Sequence, residues 1–240
     1  MTPTPPPGPS GPRLAALAGL LADQTRAAIC LALLDGRAWT AGELARHCGV
    51  APSTATEHLS RLVDGELLAE HRQGRHRYLR LADSGVAHLV EDLAAQAAPD
   101  TSPPRGLRAR GASEAMARGR TCYDHLAGRL GVTLTEALTT RGLLDQGRGC
   151  ALTDRGVSWF TDLGAALPTR ARGRRPLVRL CLDWTERRPH LAGVAGATLC
   201  RHALERGWCE RIGSQRAVRL TPYGRDTLAT LLDLPADHLP

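Results

Sequence analysis

Two common residue types are missing from this chain of 240 residues, which contains neither lysine nor asparagine. All 31 basic side chains are therefore arginine, and isoleucine occurs only at Ile29 and Ile212. This composition indicates a GC-rich coding sequence, so the net charge of +7 is by itself weak evidence for nucleic-acid binding. With 4 Trp, 3 Tyr and 1 Phe, the chain also has little material for aromatic platforms that stack single-stranded nucleic acid.

Long apolar runs are missing as well. No stretch approaches the roughly 18 consecutive apolar residues of a membrane span, and the N-terminal MTPTPPPGPSGP lacks the apolar core of a signal peptide. The 7 cysteines are odd in number and form no CxxC pair, which argues against a disulfide framework. We therefore expect a soluble, unexported protein with reduced thiols, located by default in a bacterial cytoplasm.

Proline, glycine and arginine divide the chain into segments. Residues 1–12 are rich in proline and predict a disordered tail, whereas 99–111 has the composition of a linker. Residues 13–98 between them form the first predicted domain. The second predicted domain, 112–240, is divided by an Arg- and Gly-rich segment at 169–176 into two parts, 112–168 and 177–235.

A sequence repeat runs through both domains. ELARHCGV (43–50), HLAGRLGV (125–132) and HLAGVAGA (190–197) share Leu-Ala and a later glycine, and each is followed by similar apolar and glycine signals. The repeat predicts the order helix, helix, turn, hairpin, helix three times, with the second helix shortened in copies two and three. The expected fold is mainly α with small β-hairpin wings: a winged helix-turn-helix followed by two degenerate winged-helix-like repeats. Chance matches in a biased composition are the alternative.

The first copy has the pattern of a helix-turn-helix. We predict a helix over 40–47, a turn over 48–51 with Gly49 in an unusual backbone conformation, and a second helix over 52–64 that starts at Pro52. The predicted inward side chains of the second helix are Ala55, Leu59, Leu62 and Val63. Its predicted outward side chains, which we assign to DNA binding, are Ser53, Thr54, Thr56, Glu57, His58 and Arg61. Hydroxyls at a helix N-terminus suit phosphate and base contacts.

A hairpin follows the second helix. In LLAEHRQGRHRYLRL, two alternating apolar runs flank Gln73-Gly74, which predicts a two-stranded ribbon with a tight turn. Four arginines line this ribbon: Arg72, Arg75, Arg77 and Arg80. An Arg-rich hairpin can be simply a solvated surface, but directly after a helix-turn-helix it is typical of a wing that contacts the DNA backbone. We assign Arg72, Arg75 and Arg77 to DNA binding.

The segment from LADQTR through ELARHCGV, STATEHLSRL and the Gly-tipped wing resembles the winged helix-turn-helix of ArsR-family bacterial transcriptional regulators. The resemblance covers roughly residues 14–98. It implies a homodimer paired through the helices at about 14–34 and 84–97, which binds double-stranded DNA at an inverted-repeat operator. It also implies a repressor that an inducer releases from DNA.

The chain departs from the metal-sensing members of this family. Those members carry a Cys-x-Cys pair at the start of the first helix of the helix-turn-helix, and here the two positions are Thr40 and Gly42. The family's other common metal site, on the last helix, has only His88, Glu91 and Asp92 as counterparts, and we interpret His88 as a surface histidine. A typical metal-responsive member is also far shorter, so we expect the additional function in residues 112–240.

The second domain carries two groups of polar side chains within its repeats. RTCYDHLAG contains Cys122 and His125, three residues apart and on one face if helical, and CLDWTERRPHLAG contains Cys181, Asp183, Glu186 and His190. Thiolate and imidazole would suit Zn²⁺, but no four-ligand spacing is visible, so no metal or cofactor is predicted. The leading interpretation is that His125 and His190 cap or pack helices. A small-molecule pocket is an alternative, with Tyr123, His125, Trp159, Trp184 and His190 as candidate ligand-binding residues.

Three functions compete at this stage. The leading one is a non-enzymatic one-component regulator that binds an operator and senses a small-molecule effector in its C-terminal half. The alternative is a thiol-redox or metal-responsive protein using Cys122/His125 and Cys181/His190, or a thiol enzyme with His125 as the base for Cys122. A third is a structural winged-helix protein that binds partners instead of DNA.

Overall fold

The computed structural model describes residues 10–74, 76–97, 107–147, 149–168, 175–212 and 216–240. The chain divides into two compact units, Met1–Val90 and Glu91–Pro240. Arg75, most of the predicted tail, residues 99–106 of the first predicted linker and residues 169–174 of the second lie outside the described residues. The expected fold class is confirmed, because the described chain is mainly helical and its sheets are small and antiparallel.

The first unit opens with two helices, α1 (Gly11–Leu21) and α2 (Gln24–Leu33). The apolar spacing over 14–34 did not reveal the break between these two helices. Asp23 lies at the break and caps α2, because its carboxylate accepts a 2.9 Å hydrogen bond from the backbone N–H of Arg26. No single helix in the described ranges is long and apolar enough to cross a membrane. Within the part of the chain that the structure describes, α1 and α2 taken together have that length and composition, but they are bent by 82° at the break.

The helix-turn-helix is present as predicted. A short strand β1 (Trp39–Thr40) leads into α3 (Ala41–Cys48), and α4 (Pro52–Asp64) follows the turn. Thr40 and Glu43 form a capping box at the start of α3, and Gly49 ends that helix in the left-handed conformation with φ of 66°.

The wing consists of β2 (Leu68–Gln73) and β3 (His76–Leu81), paired antiparallel with Arg72 opposite Arg77. The sequence did not predict β1, which pairs with β3 and makes a three-stranded sheet in the order β1-β3-β2. The core of this unit lies beneath the helices and the sheet and includes Ile29, Leu44, Leu59, Leu62 and Leu79. Val63, predicted to face inward, is only partly buried.

Helix α5 (Ser84–Gln96) contains the boundary between the units, and α6 (Leu107–Arg118) begins inside the segment predicted as a linker. The next elements are β4 (Arg120–Cys122), β5 (His125–Ala127), α7 (Gly128–Thr140), β6 (Leu144–Asp145), β7 (Ala151–Leu152) and α8 (Asp154–Asp162). The same order of hairpin, helix, hairpin and helix then recurs as β8 (Arg179–Leu182), β9 (Pro189–Ala192), α9 (Gly193–Glu205), β10 (Cys209–Arg211), β11 (Val218–Leu220) and α10 (Pro222–Leu232).

The order of elements within the two later copies differs from the prediction. Each HLAG motif ends a strand and begins a single long helix, where a helix, a turn and a second helix were expected. His125 and His190 therefore lie on strands β5 and β9, and the prediction that they cap helices is wrong. They do pack against helices, because β5 contacts α9 and β9 contacts α7. Gly128 and Gly193 make the sharp strand-to-helix turns with φ of 71° and 78°. One apolar core, which contains Leu138, Phe160, Leu199 and Trp208, serves both halves of the unit.

Candidate functional site

The exposed surface of α4 carries most of the side chains predicted to contact DNA. Ser53, Thr54, Thr56 and Glu57 are exposed at the N-terminal half of the helix, and Arg61 is exposed one turn beyond Glu57, with which it forms a 2.6 Å ion pair. His58 differs from the prediction of an outward side chain. It is only 16% exposed, and its Nδ1 lies 3.5 Å from Oδ1 of Asp23 at the start of α2, because α4 packs on α2 along this face.

The wing holds two of its predicted arginines around one carboxylate. Glu70 accepts a 2.8 Å hydrogen bond from Nε of Arg72 through one oxygen and a 2.6 Å bond from Nε of Arg77 through the other. The Arg72 side chain is 77% exposed and that of Arg77 is 22% exposed. Hydrogen bonding to Arg72, followed by Arg77, holds the pKa of Glu70 below its usual range, so the carboxylate is charged at neutral pH.

The three residues of α5 that stand where the family's other metal site would lie have different environments. His88 is buried, at 8% exposure, so its interpretation as a surface histidine is wrong. Glu91 is buried too, whereas Asp92 is half exposed and forms an ion pair with Arg179.

The structure brings together four side chains that the sequence left apart. Cys122, His125, Cys181 and His190 are all buried, and one ligand atom from each lies within 4.8 Å of the others. Cys122 pairs with His125 across the β4–β5 hairpin, and Cys181 pairs with His190 in the same way across β8–β9. The sequence signal for this cluster was the repeat itself, because each copy supplies one Cys and one His to a hairpin.

Each histidine of the cluster has a carboxylate beside its outer ring nitrogen. Nδ1 of His125 lies 3.3 Å from Asp124, and Nδ1 of His190 lies 3.5 Å from Asp183. The two inner nitrogens, Nε2 of each ring, face each other at 3.1 Å. Both rings therefore aim one nitrogen at the centre of the cluster and the other at an acidic group.

Both carboxylates are in turn held by arginine. Arg175 forms two hydrogen bonds with Asp124, at 2.6 and 2.9 Å. Arg120 donates to Asp183 at 2.8 Å, and the backbone N–H of Gly128 donates to the same oxygen at 2.7 Å. Burial opposes ionisation of Asp124, but hydrogen bonds from His125 and Arg175 lower its pKa to about 2. The pKa of Asp183 is also lowered, because Arg120 and several hydrogen bonds outweigh its burial.

The four side chains of the Cys/His cluster differ in pKa. Burial raises the pKa of Cys122, whereas a hydrogen bond from Cys122 and others from the two histidines lower the pKa of Cys181. Burial alone would lower the pKa of His125, but its bonds to Asp124 and Cys181 raise it to about 9. Burial lowers the pKa of His190. Cys181 thus has the character of a thiolate, the form that binds metals and attacks electrophiles.

Glu91, at the start of the second unit, extends the cluster. Its Oε2 lies 3.8 Å from Sγ of Cys181, and burial raises its pKa to about 7.

The other three candidate ligand-binding residues have separate environments in the second unit. Tyr123 is half-buried in the β4–β5 turn, Trp184 covers the Arg120 guanidinium with 4.6 Å between them, and Trp159 packs against Phe160 at the edge of the core.

Two described clefts of the second unit contain none of the five candidate ligand-binding residues. The clefts have volumes of about 560 and 260 Å³. The first is bordered by residues such as Thr133 and Asp233, the second by residues such as Ala115 and Ile212, and neither includes any of the five. Among the five, His125 and His190 are in direct contact, with 3.1 Å between their Nε2 atoms.

Comparison with known proteins connects these features to a family. A family profile described as a helix-turn-helix domain matches residues 21–71. A Bacillus subtilis protein described as the uncharacterized HTH-type transcriptional regulator YdfF is 38% identical over 215 residues, which cover 89% of this chain and 94% of that protein. The Mycobacterium tuberculosis HTH-type transcriptional regulator CmtR is 41% identical over 80 residues, covering 33% of this chain and 67% of that protein.

Among solved structures, the chain is similar to the homodimeric winged helix-turn-helix DNA-binding domain of a "possible ArsR-family transcriptional regulator" from Mycobacterium bovis. The identity is 27% and the TM-score 0.31, with 35% of this chain and 83% of that chain covered. The relationship to YdfF extends over both units, and the matched profile covers α2 to β2 of the first. The chain belongs to the ArsR-type family of winged helix-turn-helix transcriptional regulators.

Proposed function

We propose that this regulator binds an inverted-repeat operator as a homodimer in the bacterial cytoplasm, represses transcription there, and is released by a ligand sensed in the second unit. It acts by binding and catalyses no reaction. The observation that carries the proposal is the exposed row of short hydroxyls on the first turns of α4, immediately after α3 and the Gly49 turn. A helix N-terminus of this kind offers donors for phosphate and side chains for base edges.

The wing supports the same role. Arg72 and Arg77 lie opposite each other on β2 and β3, so one side chain pair can approach the DNA backbone beside the recognition helix. In this arrangement α4 would enter the major groove, where base edges are distinguishable, while the wing contributes contacts that depend little on sequence.

Exposed apolar side chains support a dimer. Leu14 on α1, Leu31 on α2 and Leu93 on α5 are 65%, 42% and 49% exposed. These are the helices that flank the helix-turn-helix, and in a homodimer the partner copy would cover their exposed apolar side chains. Two α4 helices related by a two-fold axis would then match two half-sites about one DNA turn apart.

The direct test is an anisotropy titration of the full chain against a duplex from its own promoter and a shuffled duplex of equal length. We expect the promoter duplex to bind at least about 10³-fold more tightly at physiological salt. Equal affinity for both duplexes, with a salt dependence that reflects charge alone, would contradict sequence-specific control. Sedimentation of the protein with and without the duplex checks the dimer.

A second candidate is a thiol-redox or metal-responsive protein that uses Cys122/His125 and Cys181/His190. The observation favouring it is the cluster, in which the two sulfurs are 3.9 Å apart. For the redox form, the Cys181 thiolate would attack hydrogen peroxide and form a sulfenic acid with loss of hydroxide, and Cys122 would then displace the sulfenic oxygen as water. Once the hydroxide is protonated, the products are a disulfide and two molecules of water.

The redox form predicts that one equivalent of peroxide removes two thiols from the chain and changes its operator affinity. Cys122→Ser should abolish that change, whereas Cys200→Ser, which alters a buried thiol of the same unit outside the cluster, should retain it. An operator affinity that is indifferent to peroxide in the wild-type chain would exclude thiol-redox control.

A further inference from the structure

We propose that Cys122, His125, Cys181 and His190 form a closed, four-ligand site for one resident Zn²⁺, which joins the two hairpins of the second unit. The inference requires only the cluster and would stand if operator binding failed. It differs from effector sensing, because an ion enclosed by four protein ligands has no open position and serves to hold structure together.

The spacing of the donor atoms fits a tetrahedron. With Zn–S bonds of about 2.3 Å and Zn–N bonds of about 2.0 Å, the edges of a tetrahedral site are about 3.8 Å between sulfurs and about 3.3 Å between nitrogens. The two Sγ atoms here are 3.9 Å apart and the two Nε2 atoms 3.1 Å apart. These two edges agree with a tetrahedral site to within a few tenths of an ångström, and all four donor atoms lie within 4.8 Å of one another.

The surroundings of the two histidines match those of metal ligands. A ligating imidazole usually donates its second N–H to a carboxylate, which fixes the ring orientation. Asp124 stands in this position for His125, with a hydrogen bond of 3.3 Å, whereas Asp183 lies 3.5 Å from Nδ1 of His190 without a hydrogen bond. Each carboxylate is anchored by its own arginine, so both stay beside the outer ring nitrogens.

Charge also matches a divalent cation. Asp124 is neutralised by Arg175 and Asp183 by Arg120, so these two carboxylates leave no net charge around the site. Glu91 is the third acidic group beside the cluster, with its buried carboxyl 3.8 Å from Sγ of Cys181. The four donors themselves, as two thiolates and two neutral imidazoles, carry a charge of −2, which one Zn²⁺ cancels. Without an ion, the two facing Nε2 atoms can share only one proton in a buried, fully enclosed position.

The ligands determine the class of the metal and what it connects. Thiolate and imidazole donors in a tetrahedral set favour Zn²⁺ and related soft cations over Mg²⁺ or Ca²⁺. Cys122 and Cys181 are 59 residues apart in the chain, and one ligand pair comes from each hairpin. The ion would thus cross-link the two copies of the repeat inside the second unit and stabilise each against the other.

The first test measures metal in the full-length chain. Elemental analysis of the purified protein should find one zinc per chain. After chelation, addition of Co²⁺ should produce the near-ultraviolet sulfur-to-cobalt charge-transfer band of two thiolates together with the visible absorption of tetrahedral Co²⁺. The metal-free protein should melt at a lower temperature and recover on addition of zinc. Absence of the charge-transfer band from the wild-type chain would overturn the proposal without recourse to any variant.

Variants locate the ion. Cys122→Ser and His190→Asn should lose stoichiometric zinc, whereas Cys200→Ser and Cys209→Ser, which remove buried thiols of the same unit, should each keep one zinc per chain. Asp124→Asn retains the ligand set and should weaken zinc binding about 10- to 100-fold. Zinc retained in Cys122→Ser but lost in Cys200→Ser would place the ion elsewhere and overturn the assignment. These readouts involve no DNA, so they distinguish failure of the metal site from failure of operator binding.

Discussion

Arg120 and Asp183 form an ion pair in which both side chains are fully buried, with 2.8 Å between Nη2 and Oδ2. The same Asp183 oxygen accepts the backbone N–H of Gly128, and the Trp184 ring covers the guanidinium. The pair connects β4, in the second copy of the repeat, to the loop after β8, in the third copy. Within the second unit, this ion pair therefore joins the two copies by a polar contact, and the shared apolar core joins them by packing.

Removing one member of this pair should destabilise the second unit severely. Arg120→Met leaves a buried carboxylate with no cation, and we expect a loss of about 3–5 kcal/mol in the free energy of unfolding. Urea denaturation followed by tryptophan fluorescence measures it. Arg219→Met removes the partner of Glu210 on the surface of the same unit and should cost less than about 1 kcal/mol. Similar losses in the two variants would show that burial does not determine the importance of the Arg120 pair.

Gly128 should tolerate no side chain. It has φ of 71°, and a Cβ atom there would lie 2.7 Å from the carbonyl oxygen of Ala117. Gly128→Ala therefore combines backbone strain with a backbone clash, and we expect it to cost more than about 2 kcal/mol. Gly207→Ala is the matched control, because its φ is 68° but nothing lies within 4 Å. It should cost about 1 kcal/mol. Equal losses in thermal unfolding would contradict the clash.

The helix-turn-helix could be predicted from sequence because local signals determine it. Pro52 suits only the first turn of a helix, Gly49 provides the left-handed end of α3, and the Gln73-Gly74 turn marks the wing. The break at Asp23 was missed because the apolar spacing continues through it. Strand β1 was missed because two residues carry no periodic signal, and the strand exists only through its pairing with β3.

The Cys/His cluster could not be assembled from spacing alone. Cys122 and His125 are three residues apart, which on a helix would place them on one face, yet they lie opposite each other on two strands. The Leu-Ala-Gly similarity to the start of α3 favoured a helix for HLAG, but the left-handed glycines Gly128 and Gly193 let each strand turn sharply into a helix. Only tertiary packing then brings His125 to His190, which is 65 residues away.

The capping box of α3 should make a measurable contribution to the first unit. The hydroxyl of Thr40 accepts from the N–H of Glu43, and the Glu43 carboxylate accepts in return from the N–H of Thr40. Thr40→Ala should lower the free energy of unfolding by about 1 kcal/mol. Thr56→Ala removes an exposed hydroxyl of the same unit and should stay within about 0.5 kcal/mol of the wild type. An unchanged unfolding midpoint for Thr40→Ala would argue that the box adds nothing to stability.

Two substitutions should separate contacts to phosphate from contacts to bases. Arg72→Ala removes an exposed wing cation and should weaken binding to all duplexes, with the slope of log K against log salt reduced by about 1. Thr54→Ala should leave that slope unchanged and alter affinity at one base-pair position of the operator, by about 1–3 kcal/mol. Anisotropy titrations on a set of single-base operator variants distinguish the two. A uniform effect of Thr54→Ala on all duplexes would remove it from the base-reading surface.

Glu70 should weaken DNA binding, because it forms ion pairs with Arg72 and Arg77, two of the three wing arginines assigned to contacts with DNA. Each arginine must give up an ion pair worth about 0.2–1 kcal/mol before it meets DNA, so Glu70→Gln should raise affinity by roughly 2- to 30-fold. Asp64→Asn, at the exposed end of α4, makes the same change in net charge without touching these arginines. If both variants bind more tightly to the same extent at matched salt, overall charge explains the gain and the Glu70 pairs do not restrain the wing.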